Sequence, residues 1–380
     1  VYMGGAIDPT TLGGAVWRGG HIQSGNTQEL LDVSLSGTFD LLGRSHELLL
    51  GMDWQNIDSY WQTGNFDGSG TVASNPFSPS VWTPNTDTYI NTRYGPWGQK
   101  QRGVYGTLRL HPSDRLHVIL GARAARYDYA QSIWSLNAAG EKTLTGNTPF
   151  REPTKITPYG GVIYDLNTQW STYLSYSSIY NPQALYKSGP EPGTSLPPVK
   201  GRSVEAGLKG ELLDGRLNAT FSVFDVARTG SAVADPLYDS SYSRWNGNCC
   251  FVAQGKVVSR GFDMELGGEL RPGWQLAAGY TYNNTQDTSS GQRYSSITPR
   301  HLLKLSTAYT LPDALSQWRV GGSVQIQSKH YVSGTALSGG TSVPFDFTQG
   351  GYALWNAMVH YQIDPRWSLT LNVNNLFDKT

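Results

Sequence analysis

Seven histidines, two adjacent cysteines and a surplus of aromatic residues are the side chains in this sequence whose types suit chemistry. The histidines stand at 21, 46, 111, 117, 301, 330 and 360, too scattered for a Cys/His cluster at metal-ligand spacing, and most read as solvated or interior-facing. There is no Gly-x-Ser-x-Gly, no Gly-rich phosphate loop and no recognisable grouping of nucleophile, histidine and acid, so the chain reads as a non-enzyme without a protein-bound metal. Cys249 and Cys250 lie in Trp-Asn-Gly-Asn-Cys-Cys-Phe, a loop composition. Two free thiols are one reading. The expectation is a vicinal disulfide in an oxidising compartment, since one adjacent pair cannot bridge distant segments and a metal needs more ligands. What remains is binding chemistry: 12% of the residues are aromatic, and concave sites of aromatic faces with a few polar groups hold ligands.

The elements that would position such a site are strands. In Tyr352–Phe377, Trp367, Leu369, Leu371 and Val373 alternate with Ser368, Thr370, Asn372 and Asn374, a period-2 pattern with one apolar and one polar face. Pro365 sits in the connection, where its missing N–H does no harm. Six hairpins of the same kind precede this one. They run from Leu31 to Gln55 about Leu-Leu-Gly-Arg-Ser, from Val104 to Ala122 about His-Pro-Ser-Asp, and from Ile156 past Trp170 about Asp-Leu-Asn-Thr-Gln. The others run from Val204 to Val223 about Asp214-Gly215, from Phe262 to Trp274 about Arg-Pro-Gly, and from Leu303 to Trp318 about Leu-Pro-Asp-Ala-Leu-Ser-Gln. Val1–Thr27 reads as Gly-rich and irregular, Gln62–Lys100 as a long loop, and a second long loop ends at Pro153. Short turns and long loops therefore alternate throughout, which puts all short turns at one end of the strands.

The composition decides what such a sheet faces. Lys and Arg number 29 against 29 Asp and Glu, so no basic field exists for nucleic acid. No run approaches 18 apolar residues, which excludes a membrane-crossing helix but not a membrane barrel, whose strands are apolar on one face only. The mean hydropathy of -0.39 suits that class. Loop asymmetry of this kind belongs to outer-membrane barrels, with short periplasmic turns and long extracellular loops. Trp170, Trp274, Trp318 and Trp367 each follow a short turn, and Tyr164, Tyr309 and Tyr361 precede three of them, forming an aromatic belt at one level. The polar faces, with Glu205, Lys209, Glu211, Asp263, Glu265, Lys304, Arg319, Gln325 and Asn372, would line the lumen. The expected class is all-β, about fourteen antiparallel transmembrane strands. A sheet of that size needs closure or further strands.

Four ordered segments carry a family resemblance. Val373–Lys379 (Val-Asn-Asn-Leu-Phe-Asp-Lys), Val199–Glu211, Ser259–Leu266 and Thr298–Leu305 resemble signatures of TonB-dependent outer-membrane receptors. The variant is similar to the ferric-siderophore branch, receptors for ligands such as alcaligin, coprogen and pyoverdine, and the Cys-Cys loop ahead of Ser259 resembles that branch too. The resemblance implies a 22-stranded monomeric barrel among outer-membrane lipids, plugged by an N-terminal domain that couples it to TonB–ExbB–ExbD. On this reading the chain, which starts mid-pattern without Met, is an internal fragment lacking the plug and the last strand. No cofactor is implied, because ferric iron arrives as the siderophore complex. A passive porin is the alternative, an outer-membrane hydrolase is third, and a soluble β-module fails to explain the loop asymmetry.

Aromatics on the lumenal parity near the loop ends are the candidate siderophore contacts. Trp61 keeps the parity of Asp53 and Gln55, Trp97 that of Tyr105 and Arg109, Tyr127 and Tyr129 that of Arg123, and Tyr331 that of Arg319 and Gln325. Trp82 and Tyr94 join the set from the long segment, where parity gives no reading. Each is equally explained as an aromatic packing a loop against its neighbour.

Overall fold

A computed structural model describes residues 2–4, 15–65, 73–74, 90–137, 139–189, 193–238, 249–294, 297–338 and 341–379. β1 (Tyr2–Gly4), β2 (Ala15–Arg18) and β5 (Ala73–Ser74) form a small separate sheet. The main sheet consists of seven antiparallel hairpins, one for each hairpin pattern of the sequence. They are β3 (Gly20–Leu41) with β4 (Arg44–Asn65), β6 (Ile90–Leu110) with β7 (Leu116–Leu136), and β8 (Lys142–Asp165) with β9 (Trp170–Ser188). Next come β10 (Thr194–Leu212) with β11 (Leu217–Ala234), and β12 (Phe251–Arg271) with β13 (Trp274–Asp287). β14 (His301–Thr310) with β15 (Trp318–Gln327), and β18 (Tyr352–Gln362) with β19 (Ser368–Val373), complete the fourteen strands. Each strand lies beside its neighbour in the chain, except that β16 (His330–Ser338) and β17 (Thr341–Gln349) stand apart as their own hairpin between β15 and β18. β3 and β19 are the edges, each paired on one side only among the described residues.

The sheet is one layer thick, and its two faces follow the sequence alternation. Opposed pairs such as Leu35 with Leu50, Met52 with Val104, Leu108 with Leu120 and Phe221 with Met264 fill one face. Apolar side chains on this face are widely exposed, with Leu35 at 75% and Leu371 at 62%. An apolar surface this extensive has lipid, not water, as its solvent. Among the described residues no helix is long and apolar enough to cross a membrane. The belt sits at the short-turn end: Trp274 packs on Tyr309 with ring centroids 6.0 Å apart, Trp318 on Tyr361 at 4.4 Å, and Trp170 lies over Gly210 on the adjoining strand. At that end Leu42 and Gly43 turn β3 into β4 with φ of 52° and 75°, the left-handed geometry of a two-residue hairpin.

Three expectations need correction, all in the same sense. β3 begins at Gly20, well inside the stretch read as irregular. β4 reaches Asn65 and β6 starts at Ile90, so 90–100 of the supposed long loop is strand. The loop before Pro153 is a tall hairpin instead: β7 runs to Leu136 and β8 resumes at Lys142. The link is a tight turn in which Asn137 Oδ1 accepts from the N–H groups of Ala139 and Glu141, at 3.0 and 2.9 Å. Loop length therefore does not alternate strictly. Above the lipid both faces of a strand meet water, so hydrophobic alternation vanishes while the backbone ladder continues. Asn26 opposite Ser59 and Gln28 opposite Ile57 are pairs of this kind.

Candidate functional site

The inner face of the wall from β4 to β8 is where aromatic and charged groups converge. Register places Trp97 between Ser59 of β4 and Gln131 of β7, and Tyr129 beside Gln99, all on one face. The Trp97 and Tyr129 rings stack with centroids 6.2 Å apart and planes 27° from parallel. Tyr127 leans on Phe150 of β8 at 6.2 Å and donates to Gln99 Oε1 at 3.3 Å. Below them Arg123 Nε donates to Asp53 Oδ2 at 3.0 Å, and a second contact joins its Nη2 to Asp53 Oδ1. Gln101 also accepts from the Arg123 guanidinium, at 2.9 and 3.1 Å. Tyr105 donates to Asp32 at 2.9 Å, extending the polar network to β3. A hollow of about 320 Å³ opens between Gln99, Gln101, Arg123, Tyr127, Ser178 and Tyr180. Flat aromatic faces above a fixed ion pair can hold an extended polar ligand by stacking and hydrogen bonds, and hold no group suited to bond breaking.

Trp61 shares the inner face with Trp97, Tyr127 and Tyr129, and its ring lies against Gly95 directly opposite on β6, with the Arg93 guanidinium 5.8 Å from the ring centroid. Tyr94 stands on the other face: it opposes Gln62 and Trp134, its ring is 6.3 Å from Tyr60, and Lys142 Nζ lies 4.5 Å above it. Tyr331 is on the separate β16–β17 hairpin, opposite Thr348 and away from the other candidates in the sheet. Near it, burial and the neighbouring Arg300 hold the Arg293 guanidinium below its usual pKa. Trp82 lies outside the described residues. The sequence reading missed Phe150 and Tyr180. A bulge in β8 opposite Ala125–Tyr127 shifts Phe150 off the parity of the lower strand, and β9 leaves β8 above Ser177. Gln99 was within reach of parity, two residues beyond Trp97. A larger hollow, about 880 Å³, is lined chiefly by outward-facing residues such as Asp58, Lys100, Asp128 and Arg151, so it belongs to the outer side of the wall.

Cys249 and Cys250 are bonded to each other, and both are 2% exposed. They close over the end of β9, with Cys250 Sγ 2.9 Å from the Gly189 carbonyl oxygen. The scattered histidines are partly gathered by the fold. At the short-turn end His111 Nδ1 meets His117 Nδ1 at 2.7 Å, Glu47 lies 3.3 Å from His111 Nε2, and Asp165 lies 3.0 Å from His117 Nε2. Among the described residues, no group of three or more His, Cys, Asp or Glu is arranged to hold a metal ion.

The family model described as TonB dependent receptor-like, beta-barrel matches residues 4–376. The ferric-pyoverdine M114 receptor PbuA of Pseudomonas sp. (strain M114) is 35% identical over 366 residues, covering 92% of this chain and 41% of that protein. The ferripyoverdine receptor of Pseudomonas aeruginosa PAO1 is 34% identical over 361 residues, covering 92% and 41%. The crystal structure of the Pseudomonas aeruginosa outer-membrane ferripyoverdine receptor bound to ferripyoverdine superposes with a TM-score of 0.79 at 31% identity, over 95% of this chain and 46% of that one. The alcaligin receptor FauA of Bordetella pertussis superposes with a TM-score of 0.70 at 28% identity, over 94% and 52%. The chain thus spans about two fifths of the length of the curated relatives it matches. Fourteen paired strands, an outer apolar band with its aromatic belt, and a match along nearly the whole length lead to one conclusion: the chain belongs to the TonB-dependent receptor family of outer-membrane β-barrels, transport receptors rather than enzymes.

Proposed function

We propose that this chain forms most of the barrel of a receptor that binds a ferric siderophore of the pyoverdine class at its outer vestibule and imports it with TonB-coupled energy. The observation that carries the reading is the stacked Trp97–Tyr129 pair on the inner face of the tallest strands, beside Tyr127 and Phe150. Two relatives above 30% identity are named for ferric pyoverdine, which supports that ligand class. The iron is cargo inside its chelate and needs no ligand from the wall. On this reading coupling to TonB–ExbB–ExbD belongs to a plug domain in the part of the relatives' length that this chain does not span, and the receptor works as a monomer. Trp97, Tyr127 and Tyr129 bear the contact, with Trp61 flanking it.

The test is tryptophan quenching of the full-length receptor titrated with a panel of ferric siderophores. Saturable sub-micromolar quenching by a pyoverdine, weakened in Trp97→Ala, is the expected result. Absence of quenching by every member, together with ion conductance in planar bilayers, would establish a passive channel instead.

A further inference from the structure

We propose that Arg102 and Arg126 hold a phosphate group of an outer-leaflet lipid against the outside of the barrel wall. Register sets Arg102 of β6 directly opposite Arg126 of β7, on the lipid-facing parity of Val104, Leu108 and Leu120. Like charges directly opposed across strands destabilise a sheet, so this pair calls for an anion. The protein does not supply one. Arg126 Nε is buried without a hydrogen-bond partner, and the nearest carboxylate, Asp128, lies 3.7 Å away and is already bonded by Arg151 at 3.0 Å. Asp58 and Glu29, the other acids on this face, are both engaged by Asn56 Nδ2, at 2.8 and 3.4 Å. Among the described residues neither Arg102 nor Lys100 makes an ion pair or side-chain hydrogen bond.

A second arginine pair on the same face shows the contrast. Arg260 of β12 is opposed to Asp225 of β11 and bonds it at 2.6 Å, and Arg202 of β10 stands 4.0 Å from the same carboxylate. There the wall carries its own counter-ion between two arginines; between β6 and β7 it carries none.

Position identifies the missing partner. Arg126 lies ten residues above Leu116 on β7, and at a 3.4 Å rise with about 40° of tilt that is about 26 Å from the short-turn end, the top of an apolar band about 25 Å tall. Below the pair the outer face is exposed and apolar, with Met52, Val104, Leu120 and Ile156. Trp54 flanks Arg102 on β4, and the β8 bulge leaves no residue directly opposite Arg126. The occupant that matches cations above an apolar strip is a phosphorylated lipid, its phosphate taking paired N–H groups of planar guanidiniums and its chains lying on the strip. A free phosphate would leave the strip unused.

The experiment uses the full-length receptor, delipidated in neutral detergent, with bisphosphorylated lipid A, its phosphate-free form and inorganic phosphate as probes. Adducts are counted by native mass spectrometry and melting temperatures recorded. The wild type is expected to bind the bisphosphorylated lipid at least about tenfold tighter than the phosphate-free one, and Arg102→Gln/Arg126→Gln to lose that preference. Without lipid the double variant should melt at or above the wild-type temperature, because a like-charge pair has gone. Arg202→Gln, beside its own carboxylate, is the matched control and should keep the preference. The proposal is overturned if the double variant retains the preference, if Arg202→Gln loses it equally, or if inorganic phosphate alone stabilises as much as the lipid. It does not depend on which ligand the vestibule takes.

Discussion

The wall from β4 to β8 and the wall from β14 to β19 belong to one sheet built to different heights. Strands of the first run to 21–24 residues, and those of the second, apart from the detached β16–β17 hairpin, to 6–11. The short wall shows the lumen small polar groups: Ser306, Ser323, Asn356 and Asn372 line hollows of about 780 and 590 Å³ beside Gly279, Gly321 and Gly322. The tall wall adds a second storey that carries stacked rings, an ion pair and the outward arginines. Transmembrane span and ligand surface are therefore separate layers of the same strands, and only the span is obliged to alternate in hydrophobicity.

The largest effect should come from violating the layer both walls share. Leu371→Arg, outward on β19 near the middle of the apolar band, should cost roughly 2–4 kcal/mol, whereas Asn372→Arg, facing the lumen, should cost far less. Urea titration of the protein folded in lipid vesicles measures both, and equal costs would mean the faces are misassigned.

Glycines come next and separate the walls. A Cβ added at Gly121 would stand 2.3 Å from the Tyr159 ring, whereas at Gly279 the nearest atom is 4.0 Å away. Gly121→Ala should cost about 1–3 kcal/mol through overpacking, and Gly279→Ala should be neutral or stabilise by roughly 0.5 kcal/mol. Similar costs in the same vesicle titration would erase that difference between the walls.

Binding should divide in the same way. Trp97→Ala or Tyr129→Ala should weaken ferric-siderophore binding about tenfold, roughly 1.4 kcal/mol, while Asn372→Ala leaves the quenching titration unchanged. An equal loss in all three would place the site across both walls.

The smallest effect lies in the periplasmic turns. Arg44 lies 2.7 Å from Asp114, and its hydrogen bond and charge hold that carboxyl below the usual range. A depressed carboxylate adds stability above its unfolded pKa and loses it as pH falls through the folded value, hence below about pH 4. Asp114 is fully exposed, so Asp114→Asn should barely move the melting temperature at pH 7 and should flatten its acid limb slightly.

The lower storey was legible in the sequence because one face must be apolar: all seven hairpins, the faces and the belt follow from alternation and turn residues. The upper storey was not. At Gly20–Thr27, at 90–100 and from Lys142 to Pro153 both faces are wet, and a polar strand looks like a loop. Parity carried upward correctly for Trp61, Trp97, Tyr127 and Tyr129, which share one face, because β4, β6 and β7 keep regular register through those rows. It failed for Phe150, where a bulge intervenes. No local signal joins His111 to His117, or Arg102 to Arg126, because the turn or register that brings each pair together is set by the fold rather than by spacing.

In the main sheet each strand is hydrogen-bonded only to its neighbours along the chain, with β5 and the β16–β17 hairpin passed over. Under mechanical load such a ladder has no distant cross-links to share the strain. Pulled from the Thr380 end in a single-molecule force experiment, this wall should come out of the bilayer hairpin by hairpin. The sawtooth force trace should carry its longest contour-length steps where the 21–24-residue strands of β6, β7 and β8 let go.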